Sequence, residues 1–242
     1  DVCPVQIQGP KSEDLMADLF GEKVRDIPYY GMMEGEVDGA KVVISQTGFS
    51  GEKGYEIYLR DATLHAETMW NGVLAAGKAH NLMVIAPAHH RRIAAGILSW
   101  GQDIDQEVSP LQCNLAYQVP RKKTADYIGR AALEAQRAAI EAGNPPFKMT
   151  MVGLTFGGQQ VTDYANDTSP WYSPELETNI ALAWVPVGLS QIGSLLSVWL
   201  PDQYADQPGV PVSAEVVDVP FRPSVNPSAR EVAKSKGRDH AH

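Results

Sequence analysis

The sequence predicts an α+β fold, with helices and strands mixed up to residue 145 and a run of short strands after it. Three observations carry that expectation. Apolar residues alternate over 54–59 and cluster over 2–8 and 40–47, as strands require. They recur at helical spacing over 66–77 and 129–142. Beyond Pro146 the apolar runs shorten and are split by Gly, Pro, Asp and Ser, an all-β pattern.

Taken in order, Val2 to Gln8 forms a strand that stops at Gly9-Pro10. Ser12 caps a short helix with Leu15, Met16, Leu19 and Phe20 on one face, and Gly21 ends it. Ala40 to Thr47 and Gly54 to Leu59 pair as strands. Tyr55, Ile57 and Leu59 share one face of the second strand; Glu56 and Tyr58 share the other. Asp61 or Thr63 caps the next helix, whose repeat is Ala66, Met69, Trp70, Val73, Leu74 and Gly77. Another helix starts near Pro87, buries Ile93, Ala94, Ile97 and Leu98, and ends before Gly101. A fourth runs from about 129 to 142, and Gly143-Asn144-Pro145-Pro146 breaks the chain. Met149–Thr155, Ile180–Val185, Leu195–Leu200 and Val210–Val219 then supply a small barrel or sandwich. The divisions are therefore 1–145, 146–222 and a polar tail over 223–242, expected to be extended or disordered.

Composition narrows the function classes. At 242 residues the chain can hold one large domain or two modest ones. A net charge of −9 argues against nucleic acid or an anionic membrane as the main partner, while leaving room for a local basic pocket. No apolar run approaches the roughly 20 residues of a membrane span, and the start does not resemble a signal peptide. Cys3 and Cys113 lack metal-ligand spacing and read as free thiols of a cytoplasmic protein. His89 and His90 are adjacent, so a helix points them about 100° apart, and no metal is expected. The opening on a core strand without an initiator methionine suggests a piece of a longer protein.

The segment Thr47-Gly48-Phe49-Ser50-Gly51-Glu52-Lys53-Gly54-Tyr55-Glu56-Ile57 is a glycine-punctuated loop running into a strand that carries one carboxylate. Taken alone it fits an ordinary hairpin equally well. It resembles the T-G-Y-T-G-E-x-G-[FYV]-E-I signature of the T-protein (aminomethyltransferase) superfamily of the glycine cleavage system. Three further stretches agree in order: Gln6-Ile7-Gln8-Gly9-Pro10-Lys11, then Ala95-Gly96 through Trp100-Gly101-Gln102-Asp103-Ile104-Asp105, then Ser173-Pro174 before Asn179-Ile180-Ala181-Leu182-Ala183.

The resemblance implies a tetrahydrofolate-binding aminomethyltransferase-type domain of α+β class followed by a small C-terminal β-barrel, here lacking its N-terminal part. It implies tetrahydrofolate as co-substrate, with Glu56 accepting the paired N–H groups of a pterin. Tyr55, Phe49, Gly54, Trp171 and Tyr172 are the other candidate cofactor contacts, the glycines letting backbone approach the ring. Three departures qualify it. Ala88 stands where the family has a pterin-gripping arginine. Gln112 and Asn114 stand where it has a carboxylate and a glycine, which changes the expected substrate wall. The family's catalytic aspartate lies upstream of Gln6, so no acid or base is assigned here.

Arg91-Arg92-Ile93 through Gln102-Asp103, with Tyr172-Ser173-Pro174, resembles the dimethylsulfoniopropionate demethylase branch. That branch implies methyl transfer from a small sulfonium donor to tetrahydrofolate. A cationic sulfur favours aromatic faces, and Phe49, Tyr55, Trp100, Trp171 and Tyr172 are candidates, with Trp100 expected in the core. An aminomethyl donor and a non-catalytic folate-binding module are the alternatives. Asp103 and Asp105 could form a carboxylate dyad, but the resemblance implies that they make a turn lining the family's central hole and that Arg92 is mostly structural. The resemblance leaves room for a homodimer.

Overall fold

The structure is a computed structural model that describes residues 1–86, 88–119, 121, 123–162 and 169–222. The expected helix start at Pro87, the short stretch after Asp163 and the tail over 223–242 lie outside the described residues. The chain divides into two compact units, the first ending at Ala88 and the second beginning at His89. The change to an all-β pattern near residue 145 falls inside the second unit.

In the first unit, β1 (Val2–Gln8), β2 (Met32–Val37), β3 (Ala40–Ser45) and β4 (Gly54–Arg60) form one antiparallel sheet in the order β1-β4-β3-β2. Strand alternation turns Ile7, Val42, Ile44, Tyr55, Ile57 and Leu59 to one face. Helices α1 (Ser12–Phe20) and α2 (Ala62–Gly77) cover that face with Leu15, Met16, Met69 and Val73. Each such side chain contributes about 1.5–3 kcal/mol by leaving water. The other face carries Gln6, Glu34, Ser45, Glu56, Tyr58 and Arg60 beside Val2, Pro4, Met32 and Val43, and strand alternation therefore fixes where Glu56 points.

Both expected N-caps differ from what forms. Ser12 is the first helical residue of α1, and its hydroxyl donates to the Lys53 carbonyl at 2.9 Å. At α2 neither Asp61 nor Thr63 caps through its side chain. The Asp1 carboxylate does so instead, accepting from the Ala62 and Thr63 amides at 2.7 and 3.0 Å.

The second unit holds α3 (His89–Ala94), α4 (Arg130–Glu141) and five antiparallel strands. These are β5 (Met149–Phe156), β6 (Ser169–Ser173), β7 (Thr178–Pro186), β8 (Leu195–Val198) and β9 (Val212–Val217), in the order β6-β7-β5-β9-β8. The expected barrel is not closed: among the described residues the sheet ends at β6 and β8, and closure would require those edges to pair. Asn179 knits the turn after β5, accepting from the Val161 amide and donating to the carbonyls of Gly157 and Gln159. Helix α3 is shorter than its apolar pattern suggests. Gly96 adopts φ +69, and a Cβ there would lie 2.5 Å from Val219 Cγ1, so the chain turns off its helical path.

Candidate functional site: the Glu56 face

Glu56 sits mid-strand on the face of the first sheet turned away from the core, opposite Gln6 on β1 and Ser45 on β3. Its carboxylate is held by three donors. Gln6 Nε2 reaches Oε1 at 2.8 Å, while Thr47 Oγ1 and Tyr58 Oη reach Oε2 at 2.5 and 2.7 Å. A carboxylate offers about four lone-pair positions, so one on Oε1 stays open to a further donor. The hydrogen bond to Glu56, and then burial, push the Tyr58 phenol up to about 12. Tyr58 is legible in the sequence as sharing the Glu56 face. Gln6 and Thr47 are not, because they join the carboxylate through strand register and loop course.

The loop before β4 is tied down at several points. Gln8 Oε1 accepts from Ser50 Oγ at 2.7 Å, and Gln8 Nε2 donates to the Thr47 carbonyl at 3.3 Å. The Ser50 hydroxyl also accepts from the Glu52 amide at 3.1 Å. The Lys53 carbonyl accepts from Gly9 N and Ser12 Oγ, and the Lys53 ammonium pairs with Glu13 on α1.

The sequence candidates fall in different places. Phe49 is half-buried in the loop. Gly54 is covered by Gln8: a Cβ there would lie 2.2 Å from Gln8 Nε2, and one at Gly48 would lie 2.2 Å from Gln8 Oε1. The space expected for a flat ring against these glycines is thus taken by a side chain. Tyr55 is fully buried on the core face, opposite to Glu56, which corrects the expectation that it touches a ligand beside that carboxylate. Trp171 and Tyr172 lie on β6 of the second unit. The Trp171 ring stacks on His89 at 5.7 Å between centroids, 13° from parallel. Trp100 is 69% exposed, contrary to the core packing expected of it.

The second unit is organised around a buried ion pair. Arg92 Nη1 meets Asp103 Oδ2 at 2.5 Å, with side-chain exposures of 0% and 2%. Arg92 also donates to the Ile97 carbonyl at 3.0 Å and to His89 Nδ1 at 3.1 Å. Asp103 Oδ2 accepts from the Ser99 amide at 2.6 Å, which closes the turn of the expected Gly101–Asp105 stretch. Burial, reinforced by Arg92, lowers the His89 pKa. Burial, reinforced by Arg91 and Arg222, lowers that of His90. Both rings are therefore neutral near pH 7. The pair and the Ser99 amide bond hold this turn together.

Gln112 and Asn114 also gain a structural account. The Gln112 amide accepts from Ser109 N at 3.1 Å and donates to the Met149 carbonyl at 3.2 Å, pinning a turn to β5. A carboxylate could not make the second bond. Asn114 adopts φ +61, the left-handed region that favours glycine and that Asn tolerates better than most residues. Its side chain donates to the Met151 carbonyl at 3.2 Å. Ala88, where the arginine was expected, is half-buried.

Residues 1–123 match the GCVT N-terminal domain, and the chain belongs to that family. Among curated proteins, dimethylsulfoniopropionate demethylase DmdA of Ruegeria pomeroyi is 33% identical over 211 residues, covering 84% of this chain and 56% of its own length. An aminomethyltransferase of Listeria welshimeri is 32% identical over 225 residues, covering 89% of this chain and 58% of its own. The crystal structure of glycine cleavage system aminomethyltransferase T from Bartonella henselae shares the fold, with a TM-score of 0.67 at 21% identity over 92% of this chain and 60% of that one. The chain thus spans less than two thirds of the length of these relatives. Among the described residues, no helix is long and apolar enough to cross a membrane.

Proposed function

We propose that this chain is the folate-handling part of a tetrahydrofolate-dependent one-carbon transferase, and that the unit transferred is a methyl group from a small donor such as dimethylsulfoniopropionate. One observation carries the proposal: a carboxylate on a rigid strand, oriented by Gln6, Thr47 and Tyr58, with an acceptor position left open. A pterin edge presents an N–H beside an amino group. Glu56 would take the first donor on Oε1, and the second as Tyr58 or Thr47 gives way. Charge-assisted bonds of this kind contribute about 1.5–3 kcal/mol each.

In this reading residues 1–145 handle the folate, the protein works in the cytoplasm, and it can pair as a homodimer. Phe49, half-buried beside the site, would flank the ring. Trp171 and Tyr172 enter as aromatic faces for a cationic sulfur. In such a transfer N5 of tetrahydrofolate would form the new C–N bond to the methyl and give up its proton to solvent, while the electrons of the broken C–S bond would leave with a neutral thioether. The chemistry therefore asks for alignment more than for a strong acid. The neutral His89 and His90 and the structurally engaged Arg92–Asp103 pair suit that requirement.

The likeness to aminomethyltransferases favours an aminomethyl donor as the second reading. Ala88 and Gln112, which depart from the T-protein pattern, favour the methyl donor or a folate-binding module without chemistry. The test is to incubate the full-length protein with tetrahydrofolate and dimethylsulfoniopropionate and to assay 5-methyltetrahydrofolate. Its formation is expected. Folate binding without product from this or a related methyl donor would refute the methyl-transfer reading.

A further inference from the structure

We infer that Gln8 is a positioning residue of the Glu56 site, and that Gly48 and Gly54 are glycine in order to receive its side chain rather than a ligand. The inference rests on Glu56 being the ligand-binding carboxylate. Strand register puts Gln8 directly opposite Gly54, two residues along from the Gln6–Glu56 pair. Gln6 and Gln8 therefore leave β1 on the same side, one toward the carboxylate and one toward its loop.

The fit of Gln8 is close at both glycines. A Cβ at position 48 would lie 2.2 Å from Gln8 Oε1 and 2.4 Å from Nε2; at position 54 it would lie 2.2 Å from Nε2 and 2.4 Å from Cδ. The amide could swing away from an added methyl, but only by giving up Ser50 Oγ and the Thr47 carbonyl. Those bonds hold both ends of the loop segment that carries Phe49. Thr47 in turn donates to Glu56 Oε2, so the latch acts on the carboxylate through Thr47. Glutamine suits the position because it offers one donor and one acceptor at equal reach. Glutamate would set an oxygen against the Thr47 carbonyl.

The test uses Gln8→Ala, Gly48→Ala, the double variant and Gln8→Glu in the full-length protein. Amide hydrogen exchange over 47–53 without ligand reports the latch, and calorimetry reports the affinity for tetrahydrofolate. Gln8→Ala and Gly48→Ala should each speed exchange in that segment about tenfold and weaken binding to a similar degree, as expected for one or two lost hydrogen bonds. The double variant should be no worse than either single, because both remove the same contact. Gln8→Glu should behave like Gln8→Ala although its size is unchanged, with the thermal midpoint of the protein held. Binding losses that multiply in the double variant would overturn the inference, since Gly48 would then be serving the ligand. Unchanged exchange in Gln8→Ala would also overturn it. If exchange follows the expected pattern while the unmutated protein does not bind tetrahydrofolate, the Glu56 reading fails and the latch stands.

Discussion

Replacing Asp103 with alanine leaves a cation buried without its carboxylate. Arg92 is fully buried and Asp103 nearly so, 2.5 Å apart. In the variant the guanidinium keeps the Ile97 carbonyl at 3.0 Å and His89 Nδ1 at 3.1 Å. The Ser99 amide loses its 2.6 Å acceptor. Removing one partner of a buried pair costs about 3–5 kcal/mol. The hydrogen bonds that Arg92 retains place this site at the lower end, about 3 kcal/mol. With a urea slope of about 1–3 kcal/mol per molar, the unfolding midpoint should fall by about 1–3 M. Tryptophan fluorescence is a suitable probe because Trp171 and Trp184 lie in the same unit, and Trp184 Nε1 donates to the Asp103 carbonyl at 3.1 Å. The double variant Arg92→Met with Asp103→Leu removes both charges and should cost much less than Asp103→Ala. A loss under about 1 kcal/mol for Asp103→Ala, or a double variant worse than the single, would refute the view that the pair's charges compensate each other.

Two further outcomes follow from ionisation. The Tyr58 phenol is raised from its ordinary value of 10.0 to about 12, chiefly by Glu56. The stability this contributes is complete below about pH 10 and is lost as pH rises toward 12. Glu56→Gln should return the phenol toward its ordinary value, read by phenolate absorbance, and an unchanged titration would contradict the assigned hydrogen bond. Burial pushes the Cys113 thiol up to about 11, so in the folded chain near pH 7 it should resist alkylation until urea unfolds it. Modification of Cys113 as fast as that of half-buried Cys3 would show that the thiol is not enclosed.

Strands β1, β3 and β4 were legible because their apolar residues alternate or cluster between glycine breaks. Strand β2 was not: Met32-Met33-Glu34-Gly35-Glu36-Val37 is an edge strand with mostly polar or exposed positions, so burial leaves little pattern. Strand β6 carries Pro170, which argues against a strand, yet it sits at a sheet edge where a missing donor is tolerated. Ile97 and Leu98 continued the apolar period of α3, but Gly96 turned the chain first. Alternation put Glu56 and Tyr58 on one strand face, but only the resemblance to the T-protein signature singled out Glu56 as a ligand carboxylate. The Tyr55 placement follows from the same alternation, which puts it on the core side. Gln8 was hidden because its partners Ser50, Thr47 and Gly54 are distant in sequence and meet it only through register and loop course.

In the proposed function Glu56 holds the pterin. Titrating tetrahydrofolate into the full-length protein and into its Glu56→Gln variant decides whether it does. Glutamine keeps the size but turns one acceptor into a donor, and it removes the charge from both bonds. The variant, with its fold intact, should bind at least tenfold more weakly, a loss of about 1.4 kcal/mol. Equal affinity in the two proteins would contradict that role of Glu56.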